Sequence, residues 1–203
     1  MSIVDDFRHY YYQHGNFLHW RGYECQKNPC DLWIYQELIY KLRPDFIIEC
    51  GTHYGGSAQF LGDVCSLVGH GHVITIDITP WFNANHPNVT YINSDSTSQD
   101  LINRLVNHIE TETQNCIVIL DSNHTKEHVL KEMELYARFV KPGFYLIVED
   151  TEFGGPHYFP DAYPGPGEAV KDFLPRHPEF VVDTDLESRF NLTWNPGGYL
   201  KRI

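Results

Sequence analysis

The chain has 203 residues, a length that favours one domain with a substantial core. Its 27 acidic and 15 basic side chains give a formal net charge of −12, which argues against a polyanionic partner such as nucleic acid. The sequence contains neither an apolar run long enough for a transmembrane segment nor an apolar export signal at its acidic N-terminus. Five cysteines without Cys-x-x-Cys spacing are typical of a reducing cytosol, so we expect a cytoplasmic protein.

The first part of the chain differs in composition from the rest. Residues 1–30 are rich in aromatic side chains and histidine, and we predict an arm of short helix and irregular chain there. A single domain is predicted over residues 31–203. Its first helix begins at Pro29 and Asp31, because proline and an acid favour a helix start, and it ends at Arg43-Pro44.

Short apolar runs then alternate with helical patterns. The sequence predicts strands at 46–48, 72–77, 89–93, 116–120 and 144–148, and helices at 57–68, 101–109, 129–140 and 168–175. This alternation is typical of an α/β fold with a Rossmann-like, doubly wound and mostly parallel sheet. We predict three final strands at 180–183, 190–194 and 199–203. The last two should form an antiparallel hairpin around Asn195-Pro-Gly-Gly198.

A glycine-rich turn follows the first buried strand. The motif Gly51-Thr-x-x-Gly-Gly-Ser57 separates a strand that ends in Glu49 from a helix, an arrangement that commonly binds nucleotide-type cofactors. Asp77 ends the next strand, 26 residues after Gly51, near the spacing at which an acid binds a ribose. The spacing is not the dinucleotide Gly-x-Gly-x-x-Gly, and such a turn can also be a simple strand-to-helix connection. We predict a cofactor site at this turn.

Acidic residues end two further strands. Asp121 follows the strand at 116–120, and Glu149 and Asp150 follow the strand at 144–148. Parallel strands end at one edge of a sheet, so these carboxylates should converge, and they would repel one another without a cation. Oxygen ligands select a hard ion such as Mg²⁺. The alternatives are that Asp150 is a turn acid and that Glu149 pairs with a helix dipole.

One histidine lies close to the predicted metal site. His124 comes three residues after Asp121, and a histidine with a pKa near neutrality can accept a proton from a hydroxyl. The alternative is a solvated loop histidine, since the chain has 12 histidines.

A long segment of prolines, glycines and aromatic residues breaks the alternation at 151–167. A loop of this length inside a compact domain is usually functional or disordered. Because it leaves the carboxyl end of a strand, we predict a lid over the ligand crevice. Its aromatic residues, which could pack on an acceptor, are Phe153, Tyr158, Phe159 and Tyr163.

Several separate blocks resemble one family, the cephalosporin hydroxylase family, also called the rhamnosyl O-methyltransferase family. The resemblance covers residues 19–203, leaves residues 1–18 out, and includes His53 and Tyr54 at positions that the family varies. The blocks are Trp33-Ile-Tyr-Gln-Glu37, Arg43-Pro-Asp-Phe-Ile-Ile-Glu49, Gly51-Thr-x-x-Gly-Gly-Ser57, Asp121-Ser-Asn-His-Thr125, His128-Val-Leu-Lys-Glu132-x-Glu-Leu-Tyr136, Gly143-x-Tyr-Leu-Ile-Val-Glu-Asp-Thr151 and Asn195-Pro-Gly-Gly-Tyr-Leu200.

The resemblance implies an O-methyltransferase that uses S-adenosylmethionine and Mg²⁺. Asp77 would bind the ribose and Asp95 would lie near the adenine. His124 would be the catalytic base. The other implied cofactor contacts are Glu49, Gly51, Thr52, Gly55, Ser57 and Asp121. The implied metal ligands are Asp121, Glu149 and Asp150.

We therefore expect methyl transfer to a hydroxyl of a sugar or natural-product acceptor, and a homo-oligomer is compatible with the sequence. One alternative is a nicotinamide-dependent oxidoreductase, which the glycine spacing and the three acids disfavour. Another is a non-haem iron hydroxylase, which needs two histidines and a carboxylate on one face. The candidate pairs His108–Glu110 and His177–Glu179 lie at a helix end and in a proline turn, away from the carboxyl edge.

Overall fold

The computed structural model describes residues 6, 7, 10, 18–79, 85–109, 113–152 and 164–203. Two short strands form a separate antiparallel hairpin, β1 (Leu18–Trp20) and β2 (Tyr23–Cys25). Seven further strands form the central sheet. They are β3 (Phe46–Cys50), β4 (His72–Asp77), β5 (Val89–Asn93), β6 (Cys116–Leu120), β7 (Tyr145–Val148), β8 (Phe180–Val182) and β9 (Tyr199–Arg202).

The sheet has the order β5-β4-β3-β6-β7-β9-β8. The five strands from β5 to β7 pair in parallel, whereas β9 runs antiparallel to both β7 and β8. The prediction of a Rossmann-like, mostly parallel sheet that ends in an antiparallel pair is therefore confirmed. The strand order reverses between β3 and β6, and such a reversal opens a crevice at the carboxyl ends of the strands.

Helices connect these strands. They are α1 (Pro29–Leu42), α2 (Gly56–Val68), α3 (Gln99–His108), α4 (Lys126–Tyr136), α5 (Pro166–Phe173) and the short α6 (Thr184–Glu187). The predicted start of α1 is confirmed: Asn28 caps it by accepting a hydrogen bond from the amide of Cys30 at 2.8 Å, and Pro29 occupies the first turn. Within the described residues, no helix is long and apolar enough to span a membrane.

Alternating side chains of the parallel strands enter two separate cores, one on each face of the sheet. Ile47 and Ile117 point to the core formed with α1 and α2, while Ile48 and Val118 point to the core formed with α3, α4 and α5. These strands are buried on both faces, which explains why their sequences read as continuous apolar runs. The two layers of helices leave the carboxyl edge of the sheet open for a site.

The β1–β2 hairpin packs on α2, in the region where we predicted a short helix and irregular chain. The rings of Trp20 and Phe60 meet edge to face with centroids 5.0 Å apart. Asp63 of α2 accepts hydrogen bonds from Trp20 Nε1 at 2.7 Å and from Arg21 Nη1 at 3.0 Å. Gly56 allows this close packing, since a Cβ there would lie 2.2 Å from the carbonyl oxygen of Glu24. The hairpin is therefore fixed to the start of α2.

The prediction of a strand at 190–194 is wrong. Asn191 has a left-handed backbone with φ of 53°, which ends an extended run. The Thr193 hydroxyl and the Trp194 amide donate to the carboxylate of Asp31, at 2.6 and 3.0 Å, instead of joining a sheet. The predicted hairpin around 195–198 is wrong for the same reason, and the antiparallel partner of β9 within this region is β8.

Most of the predicted lid at 151–167 lies outside the described residues, including its four aromatic side chains. The described ends of this segment lie together, because a Cβ at Gly167 would be 2.5 Å from the carbonyl oxygen of Thr151. The backbones of residues 151 and 167 therefore lie in contact with each other.

Gly51 allows β3 and β6 to end in contact with each other. Its φ is +99°, and a Cβ at this position would lie 1.8 Å from the carbonyl oxygen of Asp121. The amide of Asp121 donates to the carbonyl of Cys50 at 2.8 Å, which continues the ladder to the end of the strands. The glycine turn and Asp121 thus share one edge because residue 51 has no side chain.

We predict that Gly51→Ala destabilises the protein far more than Gly69→Ala, a matched control. Both glycines have positive φ, but a Cβ at Gly69 would meet nothing within 4 Å. Gly69→Ala should lower the free energy of unfolding by about 1 kcal/mol, the cost of the left-handed backbone, and Gly51→Ala by well over about 3 kcal/mol because backbone atoms must also move apart. Urea denaturation measures both values, and equal losses would contradict the close approach.

Candidate active site

A cleft of about 520 Å³ opens at the carboxyl edge of β3, β4 and β6. This volume suits a drug-sized ligand or cofactor. Polar side chains of both the predicted cofactor site and the predicted metal site line its walls, together with residues that belong to neither prediction. They include Lys27, Thr52, Ser57, Asp77, Asp95, Asp121, His124, His128 and Asp150.

The glycine turn and Asp77 form one side of the cleft. Gly55 has φ of +83° and begins α2, and its amide donates to the carbonyl of Thr52 at 2.8 Å. The carboxylate of Asp77 accepts from the amides of His53 at 2.8 Å and Thr79 at 2.9 Å. Asp77 is thus held by the loops on both sides, and the structure places it where a ligand on the glycine turn would meet it.

Glu49 lies behind the turn and not on the cleft wall. It is completely buried, and its Oε2 accepts a hydrogen bond from the Thr75 hydroxyl at 2.6 Å. Its Oε1 has no hydrogen-bond partner among the described residues. Burial raises the pKa of Glu49, although Lys27 partly opposes the shift. Glu49 therefore supports the turn from below.

The far end of the cleft carries Asp95 and His128. Asp95 Oδ1 accepts from the amide and the hydroxyl of Thr97, at 2.7 and 2.9 Å, and these bonds lower the pKa of Asp95. His128 Nε2 lies 3.4 Å from Oε1 of the fully buried Glu132, and this interaction raises the pKa of His128. The far end thus combines an exposed acid whose pKa is lowered with a histidine whose pKa is raised.

Asp121, His124 and Asp150 meet at the near end, where one atom from each lies within 4.8 Å of the others. His124 Nε2 is 3.2 Å from Asp121 Oδ1 and 3.5 Å from Asp150 Oδ2. This set of two carboxylates and one imidazole could hold a divalent cation. The structure brings together three of the four residues predicted for the metal and the base.

Glu149, the fourth, faces away from this group. It is buried, and its Oε1 accepts from Lys27 Nζ and from the Tyr35 hydroxyl, both at 3.0 Å. Lys27 Nζ also contacts Asp121 Oδ2. The ammonium of Lys27 therefore lies between Asp121 and Glu149, on the inner side of the cluster.

These groups shift one another's pKa values. Burial and the neighbouring Asp121 raise the pKa of Asp150 to about 7. Burial would also raise the pKa of Asp121, but Lys27 and His124 outweigh it and lower that pKa. Burial opposes protonation of His124, yet its hydrogen bond with Asp121 and the charge of Asp150 raise its pKa. The near end thus holds an imidazole whose pKa is raised between two acids that resist simultaneous ionisation.

The backbone of Asp150 is held in an unusual conformation. Its φ is +52°, and its amide donates to Asn195 Oδ1 at 3.0 Å. Asn195 is completely buried and donates in turn to the Tyr35 hydroxyl at 3.0 Å. The Asn195-Pro-Gly-Gly198 turn therefore orients Asp150 from behind the sheet.

Lys27 and His128 are charged or titratable residues of the cleft that were not predicted from the sequence. Lys27 lies in the segment that we expected to be a separate arm. Its ion-pair partners, Asp121 and Glu149, are distant in the chain, so no local sequence pattern indicates its role. His128 could have been found, since His128 and Glu132 are four residues apart on a helix and therefore share one face.

We predict that Asp150→Asn stabilises the metal-free protein more at pH 8 than at pH 5. The folded-state pKa of Asp150, about 7, exceeds its ordinary value of 3.8, so the folded protein holds a proton that the unfolded chain releases between these pH values. The contribution of this group to stability is therefore lost as pH rises through about 4 to 7, and the amide should restore about 1–3 kcal/mol at pH 8. Urea denaturation in EDTA at both pH values measures the effect.

Asp100→Asn, which changes an exposed carboxylate in α3, is the control and should behave alike at both pH values. An Asp150→Asn variant whose stability change is the same at pH 5 and pH 8 would contradict the buried, raised pKa.

Known proteins resemble this chain along most of its length. The profile of the Rhamnosyl O-methyltransferase/CmcI family matches residues 10–203. Rhamnosyl O-methyltransferase of Mycobacterium leprae (strain TN) is 34% identical over 215 residues, which cover 99% of this chain and 91% of the relative. The protein of the same name from Mycobacterium tuberculosis (strain ATCC 25618 / H37Rv) is 31% identical over 212 residues, with coverages of 99% and 85%.

Solved structures show the same fold. A CmcI structure with magnesium and S-adenosylmethionine has a TM-score of 0.69 at 22% identity and covers 92% of this chain and 76% of its own. MycE methyltransferase of the mycinamycin biosynthetic pathway, in complex with Mg, S-adenosylhomocysteine and mycinamycin VI, has a TM-score of 0.54 at 18% identity, with coverages of 85% and 45%. The profile match and the identity to the mycobacterial relatives show that this chain belongs to the Rhamnosyl O-methyltransferase/CmcI family.

Proposed function

We propose that the chain transfers a methyl group from S-adenosylmethionine to a hydroxyl of a sugar or sugar-bearing natural product, with Mg²⁺ at the near end of the cleft. Membership of the family makes it an O-methyltransferase. The observation that carries the proposal is that the cluster of Asp121, His124 and Asp150 opens into the same cleft as the glycine turn and Asp77. Methyl donor and acceptor would therefore meet in one cavity.

The cleft fits the methyl donor. Asp77 would accept hydrogen bonds from the ribose hydroxyls, and Gly51, Thr52 and Ser57 would hold the methionine part beside the start of α2. Glu49, behind the turn, would contribute negative charge. The donor carries a positive sulfonium, which suits an acidic cavity in a chain of net charge −12. CmcI, which shares the fold, was solved with this donor and magnesium.

The near end fits a hard divalent cation. Asp150 Oδ1 is buried without a hydrogen-bond partner among the described residues, and a cation would satisfy it. Asp121 and Asp150 would supply oxygen ligands to the cation. Glu149 remains a proposed third ligand. A bound Mg²⁺ would supply charge that lowers the pKa of a coordinated hydroxyl.

His124 is the proposed base. Its Nε2 faces Asp121 and Asp150, so a proton taken from the acceptor would be stabilised by two carboxylates. The deprotonated oxygen would then bond to the methyl carbon in line, while the carbon–sulfur bond of the donor breaks and S-adenosylhomocysteine leaves. The protein contributes mainly the positions of the two substrates and the charges around them.

The structure disfavours the iron hydroxylase alternative on ligand chemistry. The near-end cluster has one histidine and two carboxylates, whereas that chemistry uses two histidines and one carboxylate. His108 instead packs against Phe46 at the amino end of β3, and His177 lies 3.0 Å from Glu134. Neither histidine reaches the cleft.

The proposal is tested by incubating the protein with labelled S-adenosylmethionine, Mg²⁺ and a panel of rhamnosides and other hydroxylated glycosides. Label should enter an acceptor, and the same acceptor with its hydroxyls already methylated should take none. Transfer that persists in excess EDTA would contradict the metal. A protein that methylates none of these glycosides while binding S-adenosylhomocysteine would contradict the acceptor class. We also propose a cytoplasmic location, which the five free cysteine thiols support.

We predict that Asp77→Ala weakens the binding of S-adenosylhomocysteine by about 1.5–3 kcal/mol, because a charged hydrogen-bond acceptor for the ribose is lost. Isothermal titration calorimetry measures the affinity. Mn²⁺ binding is the internal control and should not change, since Asp77 does not belong to the near-end cluster. An unchanged affinity for S-adenosylhomocysteine would remove Asp77 from the ribose site.

We predict that His124→Ala lowers the single-turnover rate of methyl transfer by about 10²–10⁴-fold, the usual contribution of a general base. Binding of S-adenosylhomocysteine should survive, because the proposed ribose and methionine contacts lie on other loops. His128→Ala, at the far end of the cleft, should keep the rate of transfer at saturating donor. A wild-type rate in His124→Ala would mean that His124 is a solvated loop histidine and not the base.

A further inference from the structure

The near-end cluster already contains a buried cation of the protein itself. Lys27 is 3% exposed, and its Nζ contacts Asp121 Oδ2 and lies 3.0 Å from Glu149 Oε1. Asp121 also belongs to the group that could hold a divalent ion. One carboxylate is therefore shared between the lysine and the proposed metal site.

The backbone around Lys27 is fixed on both sides. The β1–β2 hairpin before it is held to Asp63 of α2, and Asn28 directly after it caps α1. The backbone of Lys27 is thus held in place. Its side chain, however, has a flexible stem of four carbons and lines the cleft. Rotation of the side chain toward the cleft would move the ammonium without moving the backbone.

We propose that Lys27 is an internal counter-ion that occupies Asp121 and Glu149 in the metal-free protein and competes with the divalent cation for them. The inference rests on the proposed function, since it takes the near-end cluster as the metal site. An ammonium and a divalent cation repel each other strongly at the distances that a shared carboxylate imposes. The cation therefore gains these oxygen atoms only when the ammonium leaves.

The charges that face Lys27 agree with this assignment. Asp121, Glu149 and Glu49 attract it, while His124 sits on the opposite side of Asp121. Without a cation, the buried carboxylates of Glu49 and Glu149 and the partly exposed carboxylate of Asp121 would repel one another, so the ammonium stabilises the metal-free fold. The competition also explains Glu149: the sequence predicts a metal ligand, and the structure shows its oxygen engaged by Lys27 and Tyr35. Displacement of Lys27 would release it.

The test compares the Mn²⁺ affinity of the wild type with that of Lys27→Met, whose unbranched side chain is one atom shorter and carries no charge. Mn²⁺ accepts the same oxygen ligands as Mg²⁺ and can be followed by its electron paramagnetic resonance. If the lysine-occupied state dominates by about ten to one, its removal should tighten Mn²⁺ binding about tenfold. The titration is run at pH 8.5, where protons compete least for the carboxylates.

A second readout is thermal stability. Lys27→Met should melt below the wild type in EDTA, because two buried carboxylates lose their partner, and the difference should shrink when Mn²⁺ is added. Lys27→Arg keeps the charge and should not show the gain in affinity. Lys41→Met removes an exposed lysine at the other end of α1 and should change neither readout.

Weaker or unchanged Mn²⁺ binding by folded Lys27→Met would overturn the inference and make Lys27 a support of the metal-bound site. If wild type and variant both fail to bind Mn²⁺, the metal in the proposed function fails as well. The two failures are thus distinguishable. Should Lys27→Met not fold, Lys27→Gln carries the same comparison, with folding judged by circular dichroism and by S-adenosylhomocysteine binding.

Discussion

The site depends on the burial of like charges at one edge of the sheet. Parallel strands end at the same edge, and in this chain acids lie at or directly after three of these ends. They are the buried Glu49, Glu149 and Asp150 and the partly exposed Asp121. Each raises the cost of ionising its neighbours, so every one needs a partner that the fold must supply. Glu49 is hydrogen-bonded to Thr75, and Asp121 is hydrogen-bonded to His124. Glu149 forms an ion pair with Lys27 and a hydrogen bond with Tyr35.

A second layer of buried polar groups holds these partners in place. Asp31, at the start of α1, accepts from Thr193 and from the Tyr199 hydroxyl at 2.6 and 2.7 Å. Asn195 then links Tyr35 to the backbone of Asp150. Such a network stabilises the fold only when it is complete, because a buried donor or acceptor without a partner costs about 1–3 kcal/mol. The C-terminal segment therefore supports the proposed site, although none of its described residues lines the cleft.

Local pattern was enough to predict the frame of the site. The apolar runs of β3 and β6 are buried on both faces, and the parallel topology then requires Glu49 and Asp121 to lie at one edge. Long-range pairing could not be predicted. Lys27 contacts Asp121 94 residues away, and the run at 190–194 has a strand-like pattern that its bonds to Asp31 override. The direction of the Glu149 side chain could not be predicted either, because it depends on contacts with Lys27 and Tyr35.

The left-handed backbone of Asp150 restricts this position before any chemistry is considered. At φ of +52° glycine, asparagine and aspartate are tolerated, whereas longer side chains are disfavoured. Of these three, aspartate alone is an anion. An exchange for glutamate, usually regarded as conservative, would keep the charge but oppose the backbone, while asparagine keeps the backbone and loses the charge. Two constraints thus limit the residue type at position 150. The backbone conformation disfavours long side chains, and the proposed metal requires an anionic ligand.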